Sequence, residues 1–292
     1  MAGYSGGFVR KAAALFLAAA TILLPQAAMA ATVDLQPPTA EAFGRYAELT
    51  QAKFQAQLAA SGPFLWIDTL PPAGREAAYA ELRAGKVVIE KMETLDDGKP
   101  IAVPGGILHH WIGTVFIPGA TLEQTLAIEQ DYDHHQIYFQ PDVVRSKILA
   151  HNGGNFDIFL RLKKTEVITV VLDTEHAIHY QTISATRAAS WSHTTRIQQV
   201  ENPGAPDEHL DPPGEDDGFL WRVNTYWKFE QKDGGTYVES QSVSLTRDIP
   251  LGLGWMIGPF VESVPHESLT FTLTATRTAV LAHANATATA SR

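Results

Sequence analysis

The C-terminal part of the chain, residues 250–281, carries apolar residues with the period of a helix. They recur on one helical face at Leu253, Ile257, Phe260, Val261, Val264, Leu269, Leu273 and Val280. Pro265 lacks a backbone N–H, so the pattern predicts a turn or kink there, with Ser263 placed to cap the second half of the helix. A helix with one apolar face must pack on another element, and a strand-rich segment precedes it.

Two shorter helices are predicted between residues 31 and 85. Thr39 can cap a helix over residues 40–60, which the run 61–63 (Ser-Gly-Pro) ends, and a second helix over residues 73–84 stops at Gly85. We interpret residues 31–85 as a helical extension rather than as a domain with its own core.

From residue 86 onwards the pattern changes to strands. The predicted strands cover residues 86–93, 101–103, 107–117, 144–150, 157–163, 167–172, 177–185, 190–200, 219–231 and 236–247. Between them, Thr121 caps a predicted helix over residues 122–130. The loop over residues 202–217 is rich in Pro, Gly, Asp and Glu, which is typical of a solvated surface loop; a lid over a site is the alternative.

The clearest predicted strand is 219–231, where large and aromatic residues alternate with polar ones. The dipeptide at 233–234 (Asp-Gly) predicts a two-residue hairpin turn, which sets Trp227 opposite Ser240 and Thr225 opposite Ser242. Large residues would then face small ones, which leaves room for a covering helix or for a ligand. A loop of different parity would reverse the two faces.

The N-terminus has the pattern of a secretory signal. Arg10 and Lys11 precede a short apolar run over residues 12–24, and the small-residue site at 28–30 (Ala-Met-Ala) follows. A membrane anchor is the alternative, but the run is too short to span a bilayer comfortably. We therefore predict cleavage after Ala30 and an exported, soluble mature chain, periplasmic or secreted, with no transmembrane segment.

Charge and composition exclude several classes of partner. The net charge is −10 with no basic patch, which argues against nucleic acid and against anionic membrane surfaces. The chain has no cysteine, so disulfides and thiol chemistry do not arise.

Histidines are the most prominent candidate metal ligands, at 109–110, 134–135, 151, 176 and 179. Neighbouring residues on a strand point to opposite faces, and positions 176 and 179 also differ in parity, so no strand presents a ready pair for zinc. There is no G-x-S-x-G elbow and no P-loop lysine motif, and Gly252 and Gly254 lack the third glycine of a dinucleotide fingerprint. We predict no metal, no cofactor and no catalytic residue.

The segment GGTYVESQSVSLTRDIPLGLGWMIGPFVESVPHESLTFTLTATR resembles the last strand, turn and closing helix of the START-like, or SRPBCC (Bet v 1-like), superfamily. Residues 131–133 (Asp-Tyr-Asp) with 141–143 (Pro-Asp-Val) resemble the helical segment before that superfamily's long strands. The resemblance covers residues 86–281. It implies an α+β helix-grip fold, a curved antiparallel sheet wrapped around the C-terminal helix, over residues 86–283, with a flexible tail at 284–292.

The same resemblance implies a cavity between sheet and C-terminal helix that binds a lipid or another hydrophobic small molecule. The predicted lining residues are Trp221, Arg222, Tyr226, Trp227, Trp255 and Phe260. For the aromatic residues the alternative is an ordinary sheet–helix core, and for Arg222 a solvated or paired residue on the other face.

Two other functions stay open at this point. One is an enzyme of cyclase, aromatase or hydrolytic type that uses the same cavity, with Tyr226, Arg222, Glu239 or a histidine as polar participants. The other is a non-catalytic structural or interaction module whose interior is filled by side chains. The ligand, the oligomeric state and the choice between periplasm and exterior do not follow from the sequence.

Overall fold

The computed structural model describes residues 33–165, 168–212, 215–249 and 254–290, without the side chains of residues 33, 215, 254–262, 285 and 287–290. The helices are α1 (Pro37–Ala59), α2 (Pro72–Arg83), α3 (Leu122–Glu129), α4 (His135–Tyr138) and α5 (Gly254–Ala290). The strands are β1 (Val33–Asp34), β2 (Val88–Lys91), β3 (Leu95–Asp96), β4 (Lys99–Pro100), β5 (Gly106–Pro118), β6 (Val143–Asn152), β7 (Asn155–Thr165), β8 (Thr169–Ser184), β9 (Arg187–Glu201), β10 (His209–Leu210), β11 (Glu215–Asp216), β12 (Arg222–Lys232) and β13 (Gly235–Arg247).

One large antiparallel sheet organises the molecule. Its strands follow in the order β2-β5-β13-β12-β9-β8-β7-β6, and β10 pairs with β9 as the ninth strand. Two short pairs, β1 with β11 and β3 with β4, lie outside this sheet. The predicted α+β class, with a large antiparallel sheet and a long C-terminal helix, is confirmed.

We call the face of the sheet that packs against α5 the inner face. In α5, Leu269, Leu273 and Val280 join an apolar cluster with Val115, Ile117, Ala188, Phe229 and Val238 of the sheet. At Gly113 in β5, an added Cβ atom would lie 2.7 Å from Cδ1 of Leu273. The absence of a side chain at this position therefore lets α5 approach β5 closely.

The opposite, outer face is covered by the N-terminal helices. From α1, Phe43, Tyr46 and Phe54 pack with Ala189, Tyr226, Val243 and Leu245. The α2 helix and the preceding segment 64–67 pack with Phe116 and Tyr237. Both N-terminal helices thus bury apolar residues against the sheet, whereas the proposed domain boundary at residue 85 stays a prediction.

The register of the β12–β13 hairpin is the predicted one. Trp227 pairs with Ser240 and Thr225 with Ser242. Asp233 and Gly234 form the two-residue turn with φ values of 56° and 76°, which is the backbone that an Asp-Gly turn favours. The predicted capping of α3 by Thr121 is also confirmed, since its side chain accepts a hydrogen bond from the backbone N–H of Gln124.

Two predictions about helix ends are wrong. The first helix begins at Pro37, with Gln36 as the N-cap residue, because prolines suit the first helical turn; the Thr39 hydroxyl instead donates to the carbonyl oxygen of Pro104 at 2.5 Å. The C-terminal helix runs from Gly254 to Ala290 without a break at Pro265, so Ser263 caps nothing. Residues 284–290 continue the same helix, and the predicted flexibility of the tail at 284–292 stays a prediction.

Two predictions about strands also need correction. The strands expected at 167–172 and 177–185 form the single strand β8, since the polar residues between them have partners within the sheet. Asp173 accepts two hydrogen bonds from Arg161 on β7, at 2.7 and 2.9 Å, and Thr174 lies 2.9 Å from His176. Residues 101–103 form no strand; the turn at 97–98 instead joins the short strands β3 and β4.

The predicted surface loop at 202–217 contains two short strands, β10 and β11, that pair with other parts of the chain. His209 and Leu210 form β10 against β9, and Asp216 in β11 pairs with Val33 in β1. Asp216 is buried and accepts a hydrogen bond from the backbone of Gly218 at 2.6 Å.

The edge strand β6 is irregular. Its pairing with β7 shifts between Val143 and Arg145 and again between Ile148 and Ala150. The two extra residues, Val144 and Leu149, are exposed. These shifts are β-bulges, which bend a strand and interrupt its ladder.

The predicted signal segment, residues 1–30, lies outside the described residues, so export stays a prediction. None of the helices in the described ranges is long and apolar enough to cross a membrane.

Candidate functional site

Strand pairing aligns hydroxyl groups in a row across the inner face. Ser192 on β9 pairs with Thr225 on β12, which pairs with Ser242 on β13. Ile178 on β8 and Trp111 on β5 extend the line at its two ends. The oxygen atoms of Ser192 and Thr225 lie 2.7 Å apart. We call Ser192, Thr225 and Ser242 the hydroxyl row.

A second line of paired residues runs beside the hydroxyl row, two positions further along each strand. It contains Trp227, one of the predicted lining residues. Trp227 lies between Ser190 on β9 and Ser240 on β13, and Tyr180 on β8 pairs with Ser190. The indole N–H of Trp227 donates to Oγ1 of Thr225 at 3.2 Å. Serines flank this large side chain on both neighbouring strands, so the indole ring projects beyond the side chains beside it.

The inner face changes from closed to accessible along its length. Val115, Ala188, Phe229 and Val238 are fully buried in the cluster with Leu269, Leu273 and Val280 of α5. Two positions along the strands, in the line of Trp227, the side chains of Trp227 and Tyr180 are half-buried. In the line of the hydroxyl row, four side chains are half-buried: Trp111, Thr225, Ser242 and Ile178. Sheet and helix therefore meet tightly at one end and leave accessible surface towards the N-terminal part of α5.

The described part of α5 contributes a histidine to the accessible end. The imidazole ring of His266 lies edge-on to the indole of Trp111, with ring centroids 5.0 Å apart. Both side chains are half-buried. The accessible surface is thus lined by aromatic rings and hydroxyl groups.

A buried polar cluster lies beyond Tyr180, where α3 ends beneath α5. Glu129 accepts a hydrogen bond from the Thr276 hydroxyl at 2.8 Å, and its backbone carbonyl accepts one from the Tyr180 hydroxyl at 3.3 Å. The hydroxyl oxygens of Tyr180 and Tyr132 lie 2.8 Å apart, and the ring of His135 lies 4.6 Å from that of Tyr132. We call these five residues the acid–tyrosine cluster.

Burial sets the charge state of this cluster. It raises the pKa of Glu129 to about 7, partly opposed by the hydrogen bond from Thr276. It also raises the pKa values of the Tyr132 and Tyr180 hydroxyl groups and lowers that of His135 to about 4, so the imidazole is neutral. Within the described residues, Nε2 of His135 has no hydrogen-bond partner although it is buried.

The structure separates the predicted lining residues. Trp227 faces the inner side, but Tyr226, its neighbour on the strand, lies buried on the outer face, where its hydroxyl donates to the Ala47 carbonyl at 3.3 Å. Trp221 precedes β12 and belongs to the same outer cluster; its indole N–H donates to Asp216 at 3.2 Å. Both residues thus differ from the expectation that they face the C-terminal helix. Tyr226 does so because side chains alternate along a strand, and Trp221 because it lies before β12, outside that alternation.

The remaining predicted residues do not add to the described site. Arg222 is exposed, and its guanidinium donates to the backbone carbonyl of Trp221 at 2.7 Å. Trp255 and Phe260 belong to α5, but their side chains are outside the described residues.

Glu239, a polar participant in the enzyme alternative, is also on the outer face. It forms a buried ion pair with Lys228, with 3.3 Å between Nζ and Oε1, and accepts the backbone N–H of Trp66 at 2.5 Å. Lys228 in turn donates to Gln57 of α1 at 2.8 Å. Burial raises the pKa of Glu239. This pair joins the N-terminal extension to the sheet.

The outer face carries two surface depressions, of about 400 and 320 Å³. The first is lined by α2 and Asp233, the second by α1, Trp191, Ser192, His193 and Asn224. In the described ranges, no group of three or more His, Asp or Glu side chains comes together as a metal site would require.

Sequence reasoning missed most of the inner-face site. A signal was present in residues 188–195, where Ser190, Ser192 and Thr194 alternate with other residues in the same way as Ser240, Ser242 and Ser244. Glu129 carried no comparable signal, because its environment depends on Thr276, which is 147 positions away in the chain.

No family model matches the chain, and no curated protein matches it. Among solved structures it is similar to a STAR-related lipid transfer protein from Xanthomonas axonopodis, with 16% identity, coverage of 66% of this chain and 98% of that one, and a TM-score of 0.40. A START superfamily protein from Mycobacterium smegmatis shows 14% identity over 60% and 96% of the two chains, with a TM-score of 0.38. The Zhui aromatase/cyclase from Streptomyces sp. R1128 shows 12% identity over 60% and 94%, also with a TM-score of 0.38. At such identities the likeness concerns the fold.

Proposed function

We propose that this chain is an exported START-like protein that binds a hydrophobic small molecule or lipid, without covalent bonds, between the inner face and α5. The main support is the change in burial along the inner face. The row that contains Phe229 is fully buried by α5, whereas Trp227, Thr225 and Trp111 keep accessible surface although α5 lies on the same face.

The chemistry of the lining fits such a ligand. Trp111, Trp227 and Ile178 offer apolar and aromatic surface, while the hydroxyl row offers a few fixed polar groups. Small-molecule sites in proteins commonly combine a mainly apolar wall with a small number of placed polar groups. The serines beside Trp227 are small, so the inner face carries no large side chain next to the indole ring on β9 and β13.

Export is the second part of the proposal. It rests on the basic residues, short apolar run and small-residue site within residues 1–30. The mature chain would begin at Ala31.

The first experiment is native mass spectrometry of the protein purified from its exported fraction, followed by solvent extraction. We expect a protein mass that begins at Ala31 and a stoichiometric apolar molecule bound to it. The variant Ser242→Leu fills space on the inner face and should reduce the bound fraction at least fivefold. Its control, Thr195→Leu, adds the same side chain at an exposed position of β9.

Two results would contradict the proposal. A mature protein that carries no small molecule and binds neither N-phenyl-1-naphthylamine nor long-chain lipids would indicate a filled interior and an interaction module. Equal retention of the ligand by Ser242→Leu and Thr195→Leu would place the ligand elsewhere on the molecule.

A further inference from the structure

The acid–tyrosine cluster adjoins the accessible inner face, and Tyr180 takes part in both. Through its backbone pairing Tyr180 lies in line with Ser190 and Trp227, and through its hydroxyl it contacts Glu129 and Tyr132. Tyr180 is only half-buried, yet burial raises the pKa of its hydroxyl group.

The cluster has unused hydrogen-bonding capacity. In the described part of the chain, Thr276 is the one side chain that hydrogen-bonds to the Glu129 carboxyl group. Nε2 of His135 is buried without a partner among the same residues. Buried polar groups are normally satisfied, so such atoms point to a missing partner.

The strands next to the acid–tyrosine cluster carry no cation on their inner side. In the described ranges the inner-face residues of β8, β9, β12 and β13 include no Lys or Arg, and the sequence has neither between residues 248 and 276. Lys91 on β2 pairs with Trp111 at the far edge of the sheet. Arg277 is the first basic residue of α5, and its guanidinium donates to the backbone carbonyl of Gly85 at 2.6 Å, at the end of α2. An anionic ligand group would therefore meet Glu129 with no opposite charge to offset its desolvation.

We infer that the acid–tyrosine cluster binds the polar end of the ligand, and that this end is an uncharged oxygen group, a hydroxyl or a carbonyl, rather than a carboxylate or a phosphate. This inference rests on the proposed function and specifies the ligand class of the same site. The Tyr180 hydroxyl, which reaches the Glu129 carbonyl only at 3.3 Å, can donate to such a group, and the Glu129 carboxyl group and the unpaired Nε2 of His135 supply further hydrogen-bonding atoms. The apolar part of the ligand then lies along Trp227 and the hydroxyl row.

The inference is tested by displacement of the neutral fluorescent probe N-phenyl-1-naphthylamine from the mature protein at pH 8. The competitors are 1-dodecanol, 2-tridecanone, dodecanoate and dodecane, which share an apolar chain and differ at its end. We expect dodecanol and tridecanone to compete at least tenfold more strongly than dodecanoate or dodecane. Their uncharged ends can hydrogen-bond within the cluster, whereas dodecanoate meets the negative charge of Glu129 and dodecane forms no hydrogen bond.

Two variants locate the polar end. Tyr180→Phe should weaken dodecanol binding about tenfold and leave dodecane binding unchanged. The control Tyr138→Phe removes a nearby tyrosine hydroxyl that donates to Asp131 at 2.6 Å, and it should leave both competitors unchanged. Glu129→Gln removes the negative charge, so dodecanoate binding at pH 8 should improve severalfold. Circular dichroism and melting curves establish that each variant is folded.

The outcomes separate this inference from the function on which it rests. If dodecanoate competes as well as dodecanol, or if Tyr180→Phe and Tyr138→Phe behave alike, the assignment of the polar end is wrong while ligand binding stands. If neither the probe nor any competitor, dodecane included, binds the folded wild type, the proposed function itself fails.

Discussion

Single residues in this protein owe their properties to the face of the sheet on which they lie. Tyr226 and Trp227 are neighbours in β12, yet one is sealed beneath α1 and the other borders the proposed site. The alternation along β12 was visible in the sequence, and so was the register of the hairpin, because both follow from local geometry. The covering of the outer face by α1 was not visible, since it depends on contacts between distant segments.

Glu129 should make the stability of the protein depend on pH. Its pKa of about 7 in the folded state lies above the ordinary 4.5, so the folded protein binds this proton more tightly than the unfolded chain. The resulting stabilisation is fully present below about pH 4.5 and is lost as the pH rises through 7. Between about pH 5 and pH 8 the loss amounts to about 2–3 kcal/mol.

Denaturant unfolding of wild type and Glu129→Gln at both pH values measures this effect. The buried histidines with lowered pKa values, such as His109 and His176, contribute in the opposite direction as the pH falls. These histidines are common to both proteins. The difference in the free energy of unfolding between variant and wild type therefore isolates the contribution of Glu129. A difference that stays constant from pH 5 to pH 8 would show that this carboxyl group is ionised throughout.

The ion pair of Lys228 and Glu239 gives a second prediction at the residue scale. Both side chains are buried, and removal of one partner leaves the other charge without compensation. Lys228→Met should therefore lower the free energy of unfolding by about 3–5 kcal/mol. The double variant Lys228→Met with Glu239→Gln removes both charges and keeps an acceptor for the N–H of Trp66, so it should recover more than half of that loss in chemical denaturation. Equal stability of the single and double variants would contradict this account.

Among the elements, α5 and β5 approach each other closely at Gly113. A larger residue there must displace Leu273, whose side chain is fully buried. Gly113→Val should destabilise the protein by about 1–3 kcal/mol, which is typical of overpacking in a core. In a Leu273→Ala background the same substitution finds space, and its effect should be smaller.

A double-mutant cycle on thermal or chemical unfolding tests this contact. Coupling between positions 113 and 273 is expected because the two residues share one packing site. Strictly additive effects of the two substitutions on the free energy of unfolding would mean that other contacts hold α5 against β5.

The order of elements, too, was largely predictable, and its failures have local causes. Asp173 and His176 are polar, so the sequence indicates a break between two strands, whereas ion pairing with Arg161 and a hydrogen bond to Thr174 keep β8 continuous. Pro265 indicates a break in α5, but the apolar contacts of Leu269 and Leu273 continue on the same helix. In both cases partners far away in the sequence, or across the sheet, outweigh a local signal.

For the whole molecule, the sheet lies between two helical layers with different tasks. The outer layer, α1 and α2, is joined to the sheet by apolar clusters and by the Lys228–Glu239 pair. The inner layer, α5, leaves part of the sheet accessible, and the proposed ligand site lies there. Arg277, which reaches the end of α2 at Gly85, links the two layers around the β2 edge.

The bulges in β6 have a consequence for contacts between molecules. An open sheet edge offers unpaired N–H and C=O groups to any extended chain that approaches it, which is how strand exchange and fibril growth begin. Val144 and Leu149 interrupt the regular spacing of these groups at two places on β6. We therefore expect that a strand of a second copy cannot form a continuous hydrogen-bond ladder along this edge, although Val144 and Leu149 are exposed and apolar.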